Sequence, residues 1–252
     1  MLKFSPANAK LKALANDPEL AEYLKGKRKV YSLDLLSGFS CPFAEKCLSK
    51  VHMIDGKRKL KDGPKTEFRC FSASQEATFT NVYKSRKHNF DLLKGKSYES
   101  ILRELSESMP KNLGICRIHV AGDFFSQDYF DAWCDLARTN PDRLFYAYTK
   151  SLNYWLAGDV PENLILTASR GGRLDNLIDS EKLRESVVVF SEDQAEGMNL
   201  EIDHDDSHAA KPSSKNQSFA LLIHGIQPKD TEAAEAIKEL KKQKVKFSYP
   251  RT

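Results

Sequence analysis

Hydrophobic positions follow two patterns along this chain. Short, nearly continuous apolar runs predict strands buried on both faces, as in a parallel sheet. These runs occupy residues 30–36, 115–121, 144–148, 164–168, 187–190 and 219–223, with a candidate closing strand at 245–247. Apolar positions at helical spacing predict helices at residues 72–93, 98–108, 127–138, 151–157, 174–178 and 231–242. Six strands separated mostly by helices indicate an α/β fold with a mostly parallel six-stranded sheet. We expect a partial (β/α)6 barrel in preference to a flat doubly wound sheet.

The first 28 residues show a different pattern. Apolar residues recur at helical spacing from Leu11 to Leu24, and Asp17-Pro18 marks the restart of a helix. We therefore predict a helical arm at residues 1–28 in front of a main domain at 29–252. The chain start lacks the apolar core of a secretory signal, and no stretch approaches the ~18 apolar residues of a membrane span. These features predict a protein that works inside the cell.

Composition narrows the classes of function. The chain has 39 basic and 35 acidic residues, a formal net charge of +4 that permits contact with nucleic acid but does not demand it. Its five cysteines are an odd number in a chain without a secretory signal. Such a count argues against a disulfide framework and for reduced thiols that are free to bind metal.

Three of the cysteines are clustered directly after the first predicted strand. Cys41, Cys47 and Cys70 fall within 30 residues, and turn and polar residues surround the first two. A thiol in such a segment gains little from burial, so a metal or iron–sulfur cluster is the favoured interpretation and a structural role the alternative. Cys116 begins a strand and Cys134 shares an apolar helix face, so we expect both in the core.

Glycine and polar residues end the predicted strands abruptly. In parallel α/β folds functional groups gather where strands pass into the following loops, so these residues are candidates for cofactor binding. They are Gly122, Asp123, Thr149, Lys150, Ser169 and Arg170. Asp123 has an alternative role as the N-cap or first-turn acid of the helix that starts near Gln127.

Two long polar connections complete the pattern. Residues 48–69 form a basic excursion between the second and third clustered cysteines, for which a solvated loop is favoured over a phosphate-facing flap. Residues 192–217 contain His204 and His208, which are candidates for a fourth metal ligand or for a second metal site. A solvated loop is again the favoured interpretation.

Several segments make the chain similar to the phage family called gene product eighty-eight. The similar segments are residues 37–42, 69–74, 117–126, 146–151 and 166–169. The resemblance covers most of residues 30–225. It implies a phage-encoded protein that acts in the cytoplasm of a bacterial host.

The chain also resembles, more distantly, the radical S-adenosylmethionine enzymes, whose fold is a six-stranded partial barrel. In those enzymes three cysteines after the first strand hold a [4Fe-4S] cluster, and its open iron binds S-adenosylmethionine. The clustered cysteines occupy the equivalent loop, although their spacing of Cys-x5-Cys-x22-Cys is wider than the compact triplet of the family. The resemblance implies that Gly122-Asp123 receives the methionine amino group. It also implies that Ser169 and Arg170 meet the ribose or carboxylate.

These observations leave three functions open. The first is an iron–sulfur protein on a radical-S-adenosylmethionine-like barrel, either catalytic or reduced to a binding or redox module. The second is a zinc-stabilised binding protein in which a histidine such as His52 completes a closed Cys3His site. The third is a protein that acts on nucleic acid, with residues 57–59 and 84–88 as phosphate contacts. Three soft thiolates suit iron–sulfur and zinc equally well.

Overall fold

Seven strands form one sheet, and six of them run parallel. The computed structural model describes residues 1–245. The sheet strands are β1 Phe4–Pro6, β2 Lys29–Leu33, β5 Leu113–Ile118, β6 Leu144–Thr149, β7 Leu164–Ser169, β8 Glu185–Val189 and β9 Phe219–Leu222. Their spatial order is β1-β2-β5-β6-β7-β8-β9, and β1 alone pairs antiparallel, along β2. The α/β class with a mostly parallel sheet is confirmed. The expected strand number was one too low, because β1 extends the edge of the sheet.

The six parallel strands lie side by side in the order in which they occur along the chain. A doubly wound sheet instead reverses its strand order near the middle. The flat doubly wound alternative therefore does not describe this topology. The strand expected at 115–121 ends at Ile118, because His119 adopts a left-handed backbone conformation with φ of 67°. The candidate strand at 245–247 lies, except for Val245, outside the described residues.

Helices connect most of the parallel strands. They are α1 Ala9–Ala13, α2 Pro18–Ala21, α3 Phe71–Thr78, α4 Thr80–Leu93, α5 Tyr98–Ser108, α6 Gln127–Arg138, α7 Leu152–Ala157, α8 Asp175–Ser180, α9 Glu192–Gly197, α10 Ser207–Ala210 and α11 Glu232–Lys242. The single helix predicted at 72–93 is wrong, because Phe79 is extended and separates α3 from α4. The Arg58 side chain donates to the carbonyls of Ala77 and Thr78, which gives the last turn of α3 the partners that a continuing helix would have supplied.

The segment predicted as a loop at 48–69 contains a β-hairpin. Strands β3 Ser49–Ile54 and β4 Lys57–Asp62 pair antiparallel. Asp55 and Gly56 form the turn between them with φ of 51° and 71°. An Asp-Gly pair at a two-residue turn is a strong signal for a hairpin, since both positions need positive φ. The sequence therefore carried this information, although charged residues obscured the strands on either side.

Each face of the sheet is covered by its own hydrophobic core. On one face Cys116 and Ile118 of β5 pack with α5 and α6, and Cys134 belongs to the same core. On the other face Ile115 packs with apolar side chains from the first 28 residues and from α10. These side chains are Leu11, Leu14, Leu20, Ala209 and Ala210. Residues 1–28 thus supply β1 to the sheet edge and part of the second core, while the predicted domain boundary at 28/29 stays a prediction.

Candidate functional site

A cavity of about 180 Å³ lies at the carboxyl ends of the parallel strands. Eight of the predicted site residues line it, namely Cys41, Cys47, Cys70, Gly122, Asp123, Thr149, Lys150 and Ser169. In parallel sheets this edge is where loops from successive strands converge, so residues far apart in sequence meet there. Three other candidates, Arg170, His204 and His208, are not among the residues that line this cavity.

Backbone amides point at two of the cysteine sulfurs. The Gly38 N–H donates to Cys41 Sγ at 3.4 Å. Cys70 occupies the N-cap position of α3, and the amides of Ser72 and Ala73 act to lower the pKa of its thiol. Hydrogen bonds of this kind stabilise a thiolate, and hydrogen bonds to sulfur are a feature by which proteins tune iron–sulfur clusters.

The three thiols lie close enough to affect one another electrostatically. Burial raises the pKa of Cys41 well above its usual value, and Asp123, Cys70 and Cys47 raise it further. Burial raises the pKa of Cys70 to about 11, with Cys47 as the next contribution. All three cysteines are free and partly exposed. Burial and the mutual repulsion of the thiolates both favour the neutral form of these thiols.

Buried Glu76 of α3 connects the cysteine loop to two helices. Its Oε1 accepts hydrogen bonds from the Ser37 amide at 3.0 Å and from the Ser37 hydroxyl at 2.7 Å. The same oxygen lies 3.2 Å from Arg86 of α4. Burial raises the pKa of Glu76, and Arg86 opposes that shift. One carboxylate therefore fixes the loop that leads to Cys41 against the helix that Cys70 begins.

The glycine pair after β7 holds the other end of the cysteine loop. The Lys46 amide donates to the Gly171 carbonyl at 3.0 Å, and the Arg173 amide donates to the Phe43 carbonyl at 2.8 Å. A Cβ on Gly172 would lie 3.1 Å from the Phe43 oxygen and from the Lys150 Cβ. The absence of a side chain at Gly172 thus lets the loop approach β6 and β7 closely.

Asp123 joins the ends of β5 and β6. Its Oδ1 accepts from the Phe124 amide at 2.8 Å and from Thr149 Oγ1 at 2.6 Å, while Oδ2 accepts from the Lys150 amide at 2.8 Å. Burial raises the pKa of Asp123 to about 6, and these hydrogen bonds oppose the shift. Ser126 caps α6 through its hydroxyl. The N-cap alternative for Asp123 is therefore wrong.

Lys150 and Arg170 have different surroundings. Lys150 Nζ donates to Ser169 Oγ at 2.6 Å and to the carbonyls of Ser169 and Arg170 at 2.7 and 3.1 Å. Its ammonium is thus held at the end of β7, beside the cavity. Arg170 points elsewhere and forms ion pairs with Asp179 and Glu185.

The two histidines of the long connection lie apart from the cysteines. His208 Nε2 is 2.9 Å from Glu201 Oε2, and its Nδ1 is 3.6 Å from Asp203 Oδ1. The Asp203 carboxylate makes the largest of the contributions that raise the pKa of His208, and Glu201 adds to it. His204 is exposed. In the described residues this connection also contains α10, so it is a folded segment rather than a structureless loop.

The positions of the donor side chains bear on the zinc alternative. Within residues 1–245 no group of three or more His, Cys, Asp or Glu side chains is arranged to hold a single metal ion. His52 lies on the hairpin, where its ring packs against Phe39 at a centroid distance of 5.3 Å. The closed Cys3His zinc site is therefore not formed by these residues.

A buried charge cluster beside the cavity was missed by sequence reasoning. Asp206 accepts from Lys10 Nζ at 2.7 Å, from Tyr146 at 3.0 Å and from Arg117. Burial acts to raise the pKa of Asp206, but Arg117 and Lys10 outweigh it and lower the pKa. Arg117 and Tyr148 line the cavity, with the guanidinium 4.9 Å from the tyrosine ring. The available signal was an arginine in the middle of an apolar strand, since a buried charge needs a partner.

The second proposed phosphate-binding segment, residues 84–88, contains both buried and exposed charges. Arg86 is buried against Glu76, and Lys87 pairs with Asp91 of the same helix. His88 Nε2 lies 3.0 Å from the Met1 carbonyl. Arg86 therefore has a structural role, whereas Lys84 and Lys87 are exposed and the assignment of this segment as phosphate contacts stays a prediction.

The fold and the cavity define an α/β protein with a cysteine-lined site at the carboxyl edge of a parallel sheet. No helix in the described part of the chain combines the length and the apolar character needed to cross a membrane. The family described as Gene product 88 has a sequence model that matches residues 2–245, so the chain belongs to this family. The family resemblance stated from the sequence motifs is confirmed.

Two similar proteins come from mycobacteriophages. The Gene 88 protein of Mycobacterium phage L5 is 31% identical over 122 residues, which cover 45% of this chain and 44% of that protein. The Gene 88 protein of Mycobacterium phage D29 is 30% identical over 122 residues, which cover 45% and 43%. The match thus spans less than half the length of these relatives. No solved structure matches the chain. The expected bacteriophage origin is confirmed by the family.

Proposed function

We propose that this chain is an iron–sulfur protein whose three cysteines hold a [4Fe-4S] cluster. One observation carries the proposal: Cys41, Cys47 and Cys70 come from two separate segments, yet line one cavity at the carboxyl edge of the parallel sheet. In a four-iron cluster each thiolate binds its own iron, so the sulfurs stand farther apart than around a single ion. The cavity that all three cysteines line is the support for this arrangement.

The surroundings of the cysteines support the same proposal. The amides of Gly38, Ser72 and Ala73 are directed at two of the sulfurs and would stabilise them as thiolates. Lys150 adds a buried positive charge beside the cavity. Both features favour negatively charged thiolates, as a cluster requires, over neutral thiols.

The finer proposal is a radical-S-adenosylmethionine-like protein on a partial (β/α)6 barrel. A cluster of this kind supplies one-electron chemistry when it is bound. The chain would contribute Asp123, whose carboxylate lies beside Cys41, to receive an ammonium group, and Ser169 and Thr149 as polar contacts. Residues 29–252 would form the cluster-bearing domain and 1–28 the arm. The protein would act in the cytoplasm of the bacterial host.

Iron and sulfide analysis after anaerobic purification or reconstitution tests the cluster. We expect about four irons and four sulfides per chain, and a resonance signal after reduction. Replacing any one of Cys41, Cys47 or Cys70 with alanine should abolish the chromophore. Cys134→Ala is the matched control, because that thiol belongs to the core. This variant should keep the full chromophore. Colourless protein with stoichiometric zinc, or a full chromophore in Cys70→Ala, would contradict the proposal.

Addition of S-adenosylmethionine to the reduced protein tests the finer proposal separately. A shift of the resonance spectrum in the wild type, weakened in Asp123→Asn, is expected if the carboxylate receives the ammonium group. His208→Ala should behave as the wild type, since its ring lies against Glu201 and Asp203 outside the cavity lining. An unchanged spectrum in the wild type but a shifted one in His208→Ala would identify His208 as the fourth ligand instead.

A further inference from the structure

The β3–β4 hairpin has two different faces. Side chains alternate along each strand, so Val51 and Leu60 point one way and pack near Tyr83 of α4. The opposite face carries four lysines, which we call the lysine face: Lys50, Lys57, Lys59 and Lys61. The hairpin is thus anchored to the body of the protein by one face and presents the other outward.

The lysine face concentrates positive charge at an electrostatic cost. Lys50 stands directly opposite Lys61 across the two strands, and like charges in this position destabilise a hairpin. None of the four lysines forms an ion pair within residues 1–245, whereas neighbouring Lys46 and Lys65 pair with glutamates. Asp62, the acid nearest to them in β4, is engaged by Arg69 at 2.5 Å and by Ser49 at 2.9 Å. Within residues 1–245 the positive charge of this face is therefore not neutralised by ion pairs.

Aromatic surface adjoins these lysines. Phe39 is 38% exposed, its ring lies 5.1 Å from Lys50 Nζ, and it packs edge-on against His52 between the lysines of the face. Proteins bind single-stranded nucleic acid through cations that contact the phosphates and through neighbouring aromatic rings on which the unstacked bases stack. A membrane surface would call instead for several protruding apolar side chains around the charge. Phe39 also lies two residues before Cys41, so this surface adjoins the loop that leads to the cavity.

From this combination we propose that the lysine face and Phe39 bind single-stranded nucleic acid. The lysines neutralise successive phosphates, and the Phe39 ring stacks on one base. Duplex is disfavoured, because its bases are already stacked and present no free face to Phe39. The proposal stands independently of the cluster, since no cysteine takes part in the contact.

Fluorescence anisotropy with a labelled oligothymidine of about 16 nucleotides tests the proposal across a salt series. The wild type should bind with an affinity that falls as salt rises. The triple variant Lys57→Ala, Lys59→Ala, Lys61→Ala should reduce the slope of log affinity against log salt by about 2, at ~0.7 per phosphate. The matched control removes three exposed lysines elsewhere, at Lys94, Lys96 and Lys111, and should keep the wild-type slope. Lys59→Glu alone provides a second, minimal reversal of charge and should weaken binding.

The aromatic contact has its own variants. Phe39→Leu should weaken binding by about five- to hundredfold, the value of one stacked base, while Phe39→Tyr should bind like the wild type. Absent or salt-insensitive binding, or equal losses in the hairpin and control triple variants, would overturn the proposal. Binding to duplex as tight as to single strand, or binding only to anionic phospholipid vesicles, would also overturn it.

Discussion

The Ser37 hydroxyl donates a hydrogen bond of 2.7 Å to Glu76 Oε1, and this contact joins the cysteine loop to α3. Arg86 supplies a positive charge 3.2 Å from the same oxygen, which opposes the rise in the pKa of Glu76 that burial causes. The placement of Cys41 and Cys70 thus depends on a pair of charges that does not bond to either sulfur. Residues that position a site in this way can be separated experimentally from those that line it.

Glu76→Gln should lower the free energy of unfolding by roughly 3–5 kcal/mol, because it leaves the Arg86 cation buried without its carboxylate. Urea denaturation measures the change. Glu67→Gln is the matched control, since its partner Lys46 is exposed and the pair contributes at most about 1 kcal/mol. Equal effects of the two substitutions would show that the buried pair does not hold the loop.

Asp123→Asn should destabilise the protein by about 1–3 kcal/mol, since an amide NH2 would face one of three hydrogen-bond donors that the carboxylate now satisfies. Thermal or chemical unfolding measures the loss. Asp128→Asn, at an exposed position in the first turn of α6, is the control and should change stability little. Wild-type stability of Asp123→Asn would mean that the carboxylate serves ligands alone.

Gly38→Ala should disturb the cysteine loop more than backbone strain alone explains. A Cβ there would lie 2.4 Å from the Ser49 carbonyl oxygen and 2.6 Å from Lys50 Cγ. Gly26→Ala is the matched control, because its φ of 73° is almost the same as the 71° of Gly38 but nothing lies within 4 Å of its Cβ. The control should lose about 1–2 kcal/mol from strain, and Gly38→Ala clearly more. Equal losses would show that the loop and the hairpin are not in close contact.

His119 should make the protein sensitive to acid. Burial and then Arg117 lower the pKa of its imidazole to about 3, against an unfolded value near 6.5. The folded state resists protonation, so stability is present above pH ~6.5 and is lost as the pH falls toward about 3. The contribution of His119 to the free energy of unfolding should be about 2 kcal/mol lower at pH 5 than at neutral pH.

His119→Asn isolates this effect, because asparagine tolerates the left-handed backbone at this position and does not titrate. Unfolding free energies of the wild type and variant, measured between pH 7 and pH 5, should diverge by that amount. Parallel pH profiles would assign the acid sensitivity to other groups.

Local sequence patterns were sufficient for most of the parallel sheet. The runs at 144–148 and 164–168 became β6 and β7 almost without change, since strands buried on both faces must be apolar throughout. The patterns failed where one face is solvated or the element is very short. Strand β1 has three residues, and its pairing with β2 depends on the distant chain rather than on its own sequence.

The candidate site likewise combines features that local sequence determined with features that only the fold decided. Sequence determined that Cys41, Cys47 and Cys70 are clustered and that Asp123 and Lys150 follow apolar strands, because strand ends and turns are local features. Only tertiary structure decided which of these residues share a cavity and that Arg170 turns away from it.

The buried charges depend on tertiary structure most of all. Arg117 meets Asp206 from 89 residues away, and Lys10 approaches the same carboxylate from the first helix. A strand pattern shows that such an arginine needs a partner but not which acid supplies it. The sequence by itself therefore determined most strands of the parallel sheet and the chemistry at their ends. Folding decided the partners, since burial makes each charge depend on whatever the packed chain brings within hydrogen-bonding distance.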